Sequence, residues 1–245
     1  MKQPHILCDT GDLATRAIVV GDSARVGRVG QQLKDTREVV SNREFTSLVG
    51  KYQGRDIAVM STGIGGPSAA IAIEEMIRVG VKKIVRVGSC GSMQAEVKIG
   101  DLVIPDTIIR EEGTTHGYED NNEPATANEG IFAALEFAAA KTNINFHTGT
   151  SISIDALYAE STPKVKARWA KEGSLAQEME GSTVLFVSRL RGIAAGCIFL
   201  VVNKVEGNLE EGIGKYSEQS VARAGRLIEQ EKVAIRTALE GLVNI

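Results

Sequence analysis

Arg86 stands near the end of an otherwise apolar run, Ile84-Val85-Arg86-Val87-Gly88-Ser89. A guanidinium buried without an anion is costly, so this position requires one. A side-chain carboxylate would satisfy it as a structural salt bridge. A bound oxyanion such as phosphate would also do so. Arginine grips phosphate in a bidentate fork, and the Ser89 hydroxyl and nearby backbone N–H groups would add donors. A second place of this kind is Gly21-Asp22-Ser23-Ala24-Arg25. A strand gives way there to a helix whose first N–H groups can face an anion. Arg25 falls in the first helical turn, where the helix dipole disfavours a cation unless an anion is bound. It also reads as an ordinary surface arginine. Arg43, in Ser41-Asn42-Arg43-Glu44-Phe45, is a third cation with no supporting pattern.

Gln177-Glu178-Met179-Glu180-Gly181 opens an apolar helix. Acids at a helix start are favoured by the dipole alone. One such carboxylate can also accept hydrogen bonds from two vicinal hydroxyls, as on ribose, while Met179 packs an apolar sugar face. His5, His116 and His147 lack metal-ligand spacing, and no metal site is expected. GxSxG, Walker A and HExxH patterns are missing, and Gly63-Ile64-Gly65-Gly66-Pro67 does not fit a dinucleotide fingerprint. Cys8, Cys90 and Cys197 are scattered, which suits small buried side chains in a reducing compartment and not a disulfide framework.

The elements that must position these groups alternate between short β-branched runs and longer helical patterns. Strands are expected at residues 17–20, 56–61, 83–87, 102–105, 108–111, 148–154 and 194–202. Helices are expected at 23–33 with Ser23 as a candidate N-cap, at 68–79 behind Pro67, and at 131–141, 182–190 and 217–242. This alternation indicates an α/β fold, a mixed sheet flanked by helices on both faces, as a single domain over residues 1–245. Three strands run into glycine-rich turns, at Gly21-Asp22, Gly63–Gly66 and Gly88–Gly91. Open α/β sheets bind ligands beyond the carboxyl ends of their strands, where glycine permits close backbone approach.

Bulk composition narrows the partners. The chain has 245 residues, 43% hydrophobic and 24% charged, which is globular and neither disordered nor fibrous. A net charge of −3 provides no footprint for nucleic acid or anionic membrane, but a few local arginines suffice for a small anion. The first nine residues lack the apolar core of a signal peptide, and the longest apolar stretch, residues 193–202, is about half a membrane span. A cytoplasmic protein acting on a small molecule is expected.

Six segments, taken in order, resemble the nucleoside phosphorylase family of hexameric-type purine nucleoside phosphorylases, uridine phosphorylases and related nucleosidases. They are Pro4-His5-Ile6, Gly21–Arg25, Asn42-Arg43-Glu44-Phe45, Ser61–Ser68, Arg86–Gly91 and Glu178-Met179-Glu180. The resemblance implies a hexamer built as a trimer of dimers, with inorganic phosphate as co-substrate and no cofactor. Phosphate would be held by Gly21, Arg25, Arg86 and Ser89, and by Arg43 reaching into a neighbouring subunit. His5 would likewise cross to a neighbour's ribose. Glu180 would grip the ribose hydroxyls, with Met179 beneath the sugar and Glu178 close by. Arg86 and Glu180 would thus serve catalysis.

Base choice is divided on the same grounds. Purine enzymes of the family usually carry an aspartate after the penultimate strand, and here that place reads Val202-Asn203-Lys204. This resembles the Val-Asn-Arg of uridine phosphorylases, with Lys204 set to stabilise a developing base anion or else solvated, and Asn203 beside the nucleoside. The Gln-x-Arg insertion by which typical uridine enzymes read uracil is missing from the short segment Asp155–Ser161, which offers Tyr158 as a nucleoside contact. Leu157 replaces a phenylalanine common to both branches, and Gly88–Ser92 is closer to purine enzymes. The balance favours uridine, with a purine nucleoside phosphorylase, a phosphate-independent nucleosidase and a non-catalytic nucleoside-binding protein as alternatives.

Overall fold

The computed structural model describes residues 2–204 and 221–245. Its strands are β1 (Arg16–Val20), β2 (Lys34–Asn42), β3 (Phe45–Tyr52), β4 (Arg55–Ser61), β5 (Lys83–Ser92), β6 (Leu102–Glu111), β7 (Ala125–Thr126), β8 (Phe146–Ile154), β9 (Ala176–Glu178) and β10 (Ala194–Lys204). Its helices are α1 (Ser23–Gly30), α2 (Gly66–Arg78), α3 (Gly113–His116), α4 (Glu129–Ala139), α5 (Thr162–Lys171), α6 (Gly181–Leu190) and α7 (Val221–Val243). The sheet order is β10-β6-β8-β9-β5-β1-β4-β3-β2, with β7 added on β6. A further pairing of β10 with β5 closes five of these strands on themselves. The sheet is mixed, as the alternation of elements implies, and one half of it is a small barrel.

Parallel pairing of β4, β1, β5 and β10 sends their carboxyl ends to one edge. These strands are buried on both faces, which is why they read as continuous apolar runs. One core, with Ile73 and Met76 of α2 and Val184 to Val187 of α6, packs on one face. The other core joins Val26 and Val29 of α1, Leu135 of α4 and Ile235 and Leu239 of α7. Helices therefore cover both faces.

The boundaries depart from expectation at specific places. Asp22, not Ser23, caps α1: its carboxylate accepts from the Ala24 N–H at 2.9 Å, and the helix stops at Gly30. The runs at 102–105 and 108–111 are one strand, β6, which passes Pro105 through a register shift against β8. β2, β3 and α5 were not anticipated. The first four residues of the expected C-terminal helix, 217–220, lie outside the described residues.

The N-terminal segment is tied down by a buried carboxylate. Glu75 of α2 accepts from the His5 and Ile6 backbone N–H groups at 3.0 and 2.9 Å and meets His5 Nδ1 at 2.6 Å. Burial pushes this carboxyl up, but the Ile6 N–H and His5 outweigh it and hold the pKa below the usual range. Glu75→Ala strands a buried N–H and should cost about 1–3 kcal/mol in urea denaturation at pH 7. Because the folded-state pKa is depressed, this contribution is present above the ordinary carboxylate range. It disappears as pH falls through the depressed value, so wild type and variant should converge in acid.

Candidate active site

A cavity of about 630 Å³ opens at the shared carboxyl edge of β1, β5 and β10. Its walls include Gly21, Ser23 and Arg25 after β1, Arg86 and Ser89 of β5, Met179 and Glu180 before α6, and Asn203 and Lys204 of β10. Residues that the sequence scatters over 184 positions are thus gathered by strand polarity alone.

Arg86 is 3% exposed, and its three nitrogens have different fates. Nε donates to Glu178 at 3.2 Å and Nη2 donates to Glu180. Nη1 is buried without a partner. Phe199 lies beneath the guanidinium, 5.9 Å from ring centre to Cζ. Burial opposes the Arg86 charge, yet Glu180 and Glu178 more than offset it and its pKa is raised. The structure realises the salt-bridge reading of this residue: two carboxylates pair it, while Nη1 has no partner among the described residues. Gly21 lies beside that nitrogen, since a Cβ there would come within 4.0 Å of Nη1 and 3.4 Å of the Gly63 carbonyl.

Arg25 repeats the pattern. Its Nε donates to Glu231 of α7 at 2.6 Å and its Nη1 to the Val87 carbonyl at 3.4 Å. Nη2 has no hydrogen-bond partner among the described residues, and Arg25 lines the cavity. Glu231 also takes Arg28 Nε at 2.6 Å. A buried acid from the C-terminal helix thus accounts for a cation in the first turn of α1, which sequence reasoning missed.

The two glutamates before α6 divide their work. Glu178 accepts from the backbone N–H groups of Glu180 and Gly181 at 2.9 and 2.8 Å, from Ser153 Oγ and from Arg86. It takes the N–H groups of Glu180 and Gly181 where α6 begins, and its acceptor capacity is spent within the protein. Glu180 accepts from the Gly65 N–H at 2.5 Å through Oε1 and from Arg86 through Oε2. Gly65 has φ of 94°, a backbone only glycine adopts readily, and this turn aims the N–H at the carboxylate. Burial, with Glu178 adjacent, pushes the Glu180 carboxyl above the ordinary range although Arg86 pulls the other way.

The cavity does not gather every expected residue. His5 and Arg43 lie outside its lining in this protomer, and Tyr158 is 70% exposed. Leu157 lines the cavity instead, as do Lys166 of α5 and Gln177 of β9, to which the sequence assigned no role. No group of three or more metal-ligating side chains is found among the described residues, and no described helix is long and apolar enough to cross a membrane.

Residues 15–230 match the model of a protein family described as the phosphorylase superfamily. The chain belongs to the phosphorylase superfamily. It is 38% identical to a guanosine phosphorylase of Halorubrum lacusprofundi, covering 100% of this chain and 99% of that one. It is 35% identical to a uridine phosphorylase of Thermococcus kodakarensis, covering 95% and 86%. The fold superposes on uridine phosphorylase from Vibrio fischeri with a TM-score of 0.91 at 30% identity, over 100% and 97% of the two chains. Purine nucleoside phosphorylase from Toxoplasma gondii in complex with immucillin-H gives 0.86 at 30% identity, over 97% and 96%. By family and fold the protein is a pentosyltransferase of the nucleoside phosphorylase type. The phosphorylase fold places its cavity at the glycine turns after β1 and β4 and beside Gly88–Gly91, which is not the expected turn but the last part of strand β5.

Arg86→Met should leave two buried carboxylates without their counter-charge and destabilise the phosphorylase by about 3–5 kcal/mol at pH 8. With the guanidinium removed, the Glu180 carboxyl, which burial already raises, loses the charge that opposes that rise. The folded state then binds more protons than the unfolded chain, so stability should recover as pH falls through the raised value. Urea denaturation from pH 8 to pH 5 checks both the size and the sign.

Proposed function

We propose that this protein cleaves the N-glycosidic bond of uridine with inorganic phosphate, giving uracil and ribose 1-phosphate. The observation that carries the reading is the unpaired Nη1 of Arg86 beside the Gly21 turn, an oxyanion place on the wall of a cavity that also holds Glu180 and Met179. Phosphate takes Arg86 Nη1, Arg25 Nη2, the Gly21 backbone and the Ser89 hydroxyl. Glu180 accepts hydrogen bonds from the ribose hydroxyls, and Met179 lies under the sugar. Breaking the bond makes an oxocarbenium-like sugar and an electron-rich base. The phosphate dianion stabilises the cation and then attacks C1′, and holding both reactants replaces a bimolecular encounter. Preorganised guanidinium groups favour that charged state, and Lys204 at the end of β10 meets charge developing on the base. No cofactor is required for these steps.

Arg43 and His5 fit a role in a neighbouring subunit of a hexamer. Asn42 Nδ2 donates to the His5 carbonyl at 2.7 Å, which holds the two segments together on one surface of the protomer. The absence of an aspartate at Asn203-Lys204 and the several uridine phosphorylase relatives support uridine. Guanosine is the second reading, favoured by the guanosine phosphorylase relative that aligns over the whole chain.

Uridine, guanosine, inosine and adenosine incubated with and without phosphate provide the test, read as free base by chromatography. Phosphate-dependent release of uracil with ribose 1-phosphate is expected. Release of base with free ribose, equal with and without phosphate, would replace this reading by a nucleosidase. Arg25→Ala should raise KM for phosphate by about 10–100-fold, the loss of one charge-assisted contact, while KM for the nucleoside changes little.

A further inference from the structure

Lys166 is a lysine that the fold buries without pairing. It is 4% exposed, its neighbours on α5 are mostly solvated, and it lines the cavity. No described residue gives it a hydrogen bond or salt bridge, and burial pulls its pKa below the ordinary lysine value, with no described carboxylate offsetting it. An unpaired buried ammonium is among the costlier groups a fold can hold, so a partner beyond the described residues is expected, and a ligand in the cavity can supply it.

Two more unsatisfied groups share the same walls. The side-chain oxygens of Gln177 on β9 and Asn203 on β10 are both buried without a partner. They fall in one row across the barrel mouth, because Gly91 of β5 pairs with Gln177 on one side and with Asn203 on the other. That row lies two residues beyond Ser89 along β5, past the phosphate place. Glycine at its centre leaves room between the two carboxamides. One donor and two acceptors, without partners among the described residues, thus line the same cavity as the arginines.

We infer that Lys166, with the carboxamides of Gln177 and Asn203, reads the base by an adjacent carbonyl and ring N–H, so that the site takes oxo bases and rejects amino bases. The ammonium donates to the carbonyl oxygen, and a carboxamide oxygen accepts the ring N–H. Uracil, hypoxanthine and guanine present such an edge. Cytosine and adenine present an amino group beside an unprotonated ring nitrogen, which leaves the lysine facing a donor. A site built to hydrogen-bond a group discriminates strongly against an analogue lacking it. The inference rests on the phosphorylase reading and specifies how that site recognises its base.

The test compares wild type, Lys166→Met and Lys166→Arg on uridine, guanosine, inosine, cytidine and adenosine at saturating phosphate, with KM for phosphate measured separately. Lys166→Met should lose about 30-fold or more in kcat/KM on the preferred oxo-base nucleoside, the cost of a hydrogen bond from a charged donor, with KM for phosphate within about twofold of wild type. Lys166→Arg should recover most of that loss. Binding of the free bases uracil, guanine, cytosine and adenine to the same proteins by calorimetry provides an independent measure. Oxo bases should bind wild type and lose their advantage over amino bases in Lys166→Met. Unchanged kcat/KM in Lys166→Met would overturn the inference, as would an equal fall for oxo and amino bases accompanied by a matching fall in phosphate affinity. If wild type releases no base from any nucleoside, the phosphorylase reading fails, and the calorimetry still decides whether Lys166 selects oxo bases.

Discussion

The burial of one guanidinium governs this active site. Arg86 sits on a central strand between β1 and β10, where it is 3% exposed. Two of its nitrogens must find carboxylates, and both carboxylates must come from the three residues before α6. That requirement fixes β9 against β5 and sets the start of α6, because Glu178 takes the N–H groups where the helix begins while it holds Arg86. It also fixes Glu180 facing the cavity. Breaking any member leaves a buried charge, so the arrangement is retained as a unit.

A second cation is held in the same way from the far end of the chain. Glu231 lies 206 residues from Arg25 and orients it through Nε. Arg28 shares the same carboxylate. α7 is therefore more than a cover for the hydrophobic core around Ile235 and Leu239, since it sets the direction of a cavity-lining arginine. Arg86 and Arg25 follow one rule: Nε and one terminal nitrogen are satisfied by the protein, and the other terminal nitrogen has no partner among the described residues.

Much of this was legible in the sequence because it depends on local patterns. Continuous apolar runs mark strands buried on both faces, and an arginine inside one of them, as at Ile84–Val87, signals an anion. Glycine turns after β1 and β4 mark the sheet edge where a ligand fits, whereas Gly88–Gly91, expected as a third turn, continues β5 as strand paired with β10. Other features carry no local pattern. β2 is Lys34–Asn42, a largely exposed edge strand of mixed polar residues, and its pairing with β3 is set by the turn at Arg43, which has φ of 54°. α5 reads as a solvated charged stretch, and only burial separates Lys166 from Lys164 and Lys171. Glu231 is one acid among several in a long helix, and its partner is distant in the chain. Such long-range pairings have no periodicity to reveal them.

The two ends of the cavity are built from different materials, and this explains how relatives with similar folds come to be named for different bases. On the proposed reading, the phosphate end uses backbone turns and arginines locked into the sheet, so altering it disturbs the fold. The proposed base end uses side chains on α5, β9 and the last residues of β10 that Arg86 and Glu180 do not need for their own pairing. Side chains there can change without exposing a buried charge. A purine and a pyrimidine that share a carbonyl beside an N–H make similar demands on such a row, and they differ mainly in the space beyond it. Leu157, smaller than an aromatic residue, lines the same cavity. Family resemblance therefore fixes the phosphate chemistry more firmly than the base, and the side chains at the mouth of the barrel decide what remains.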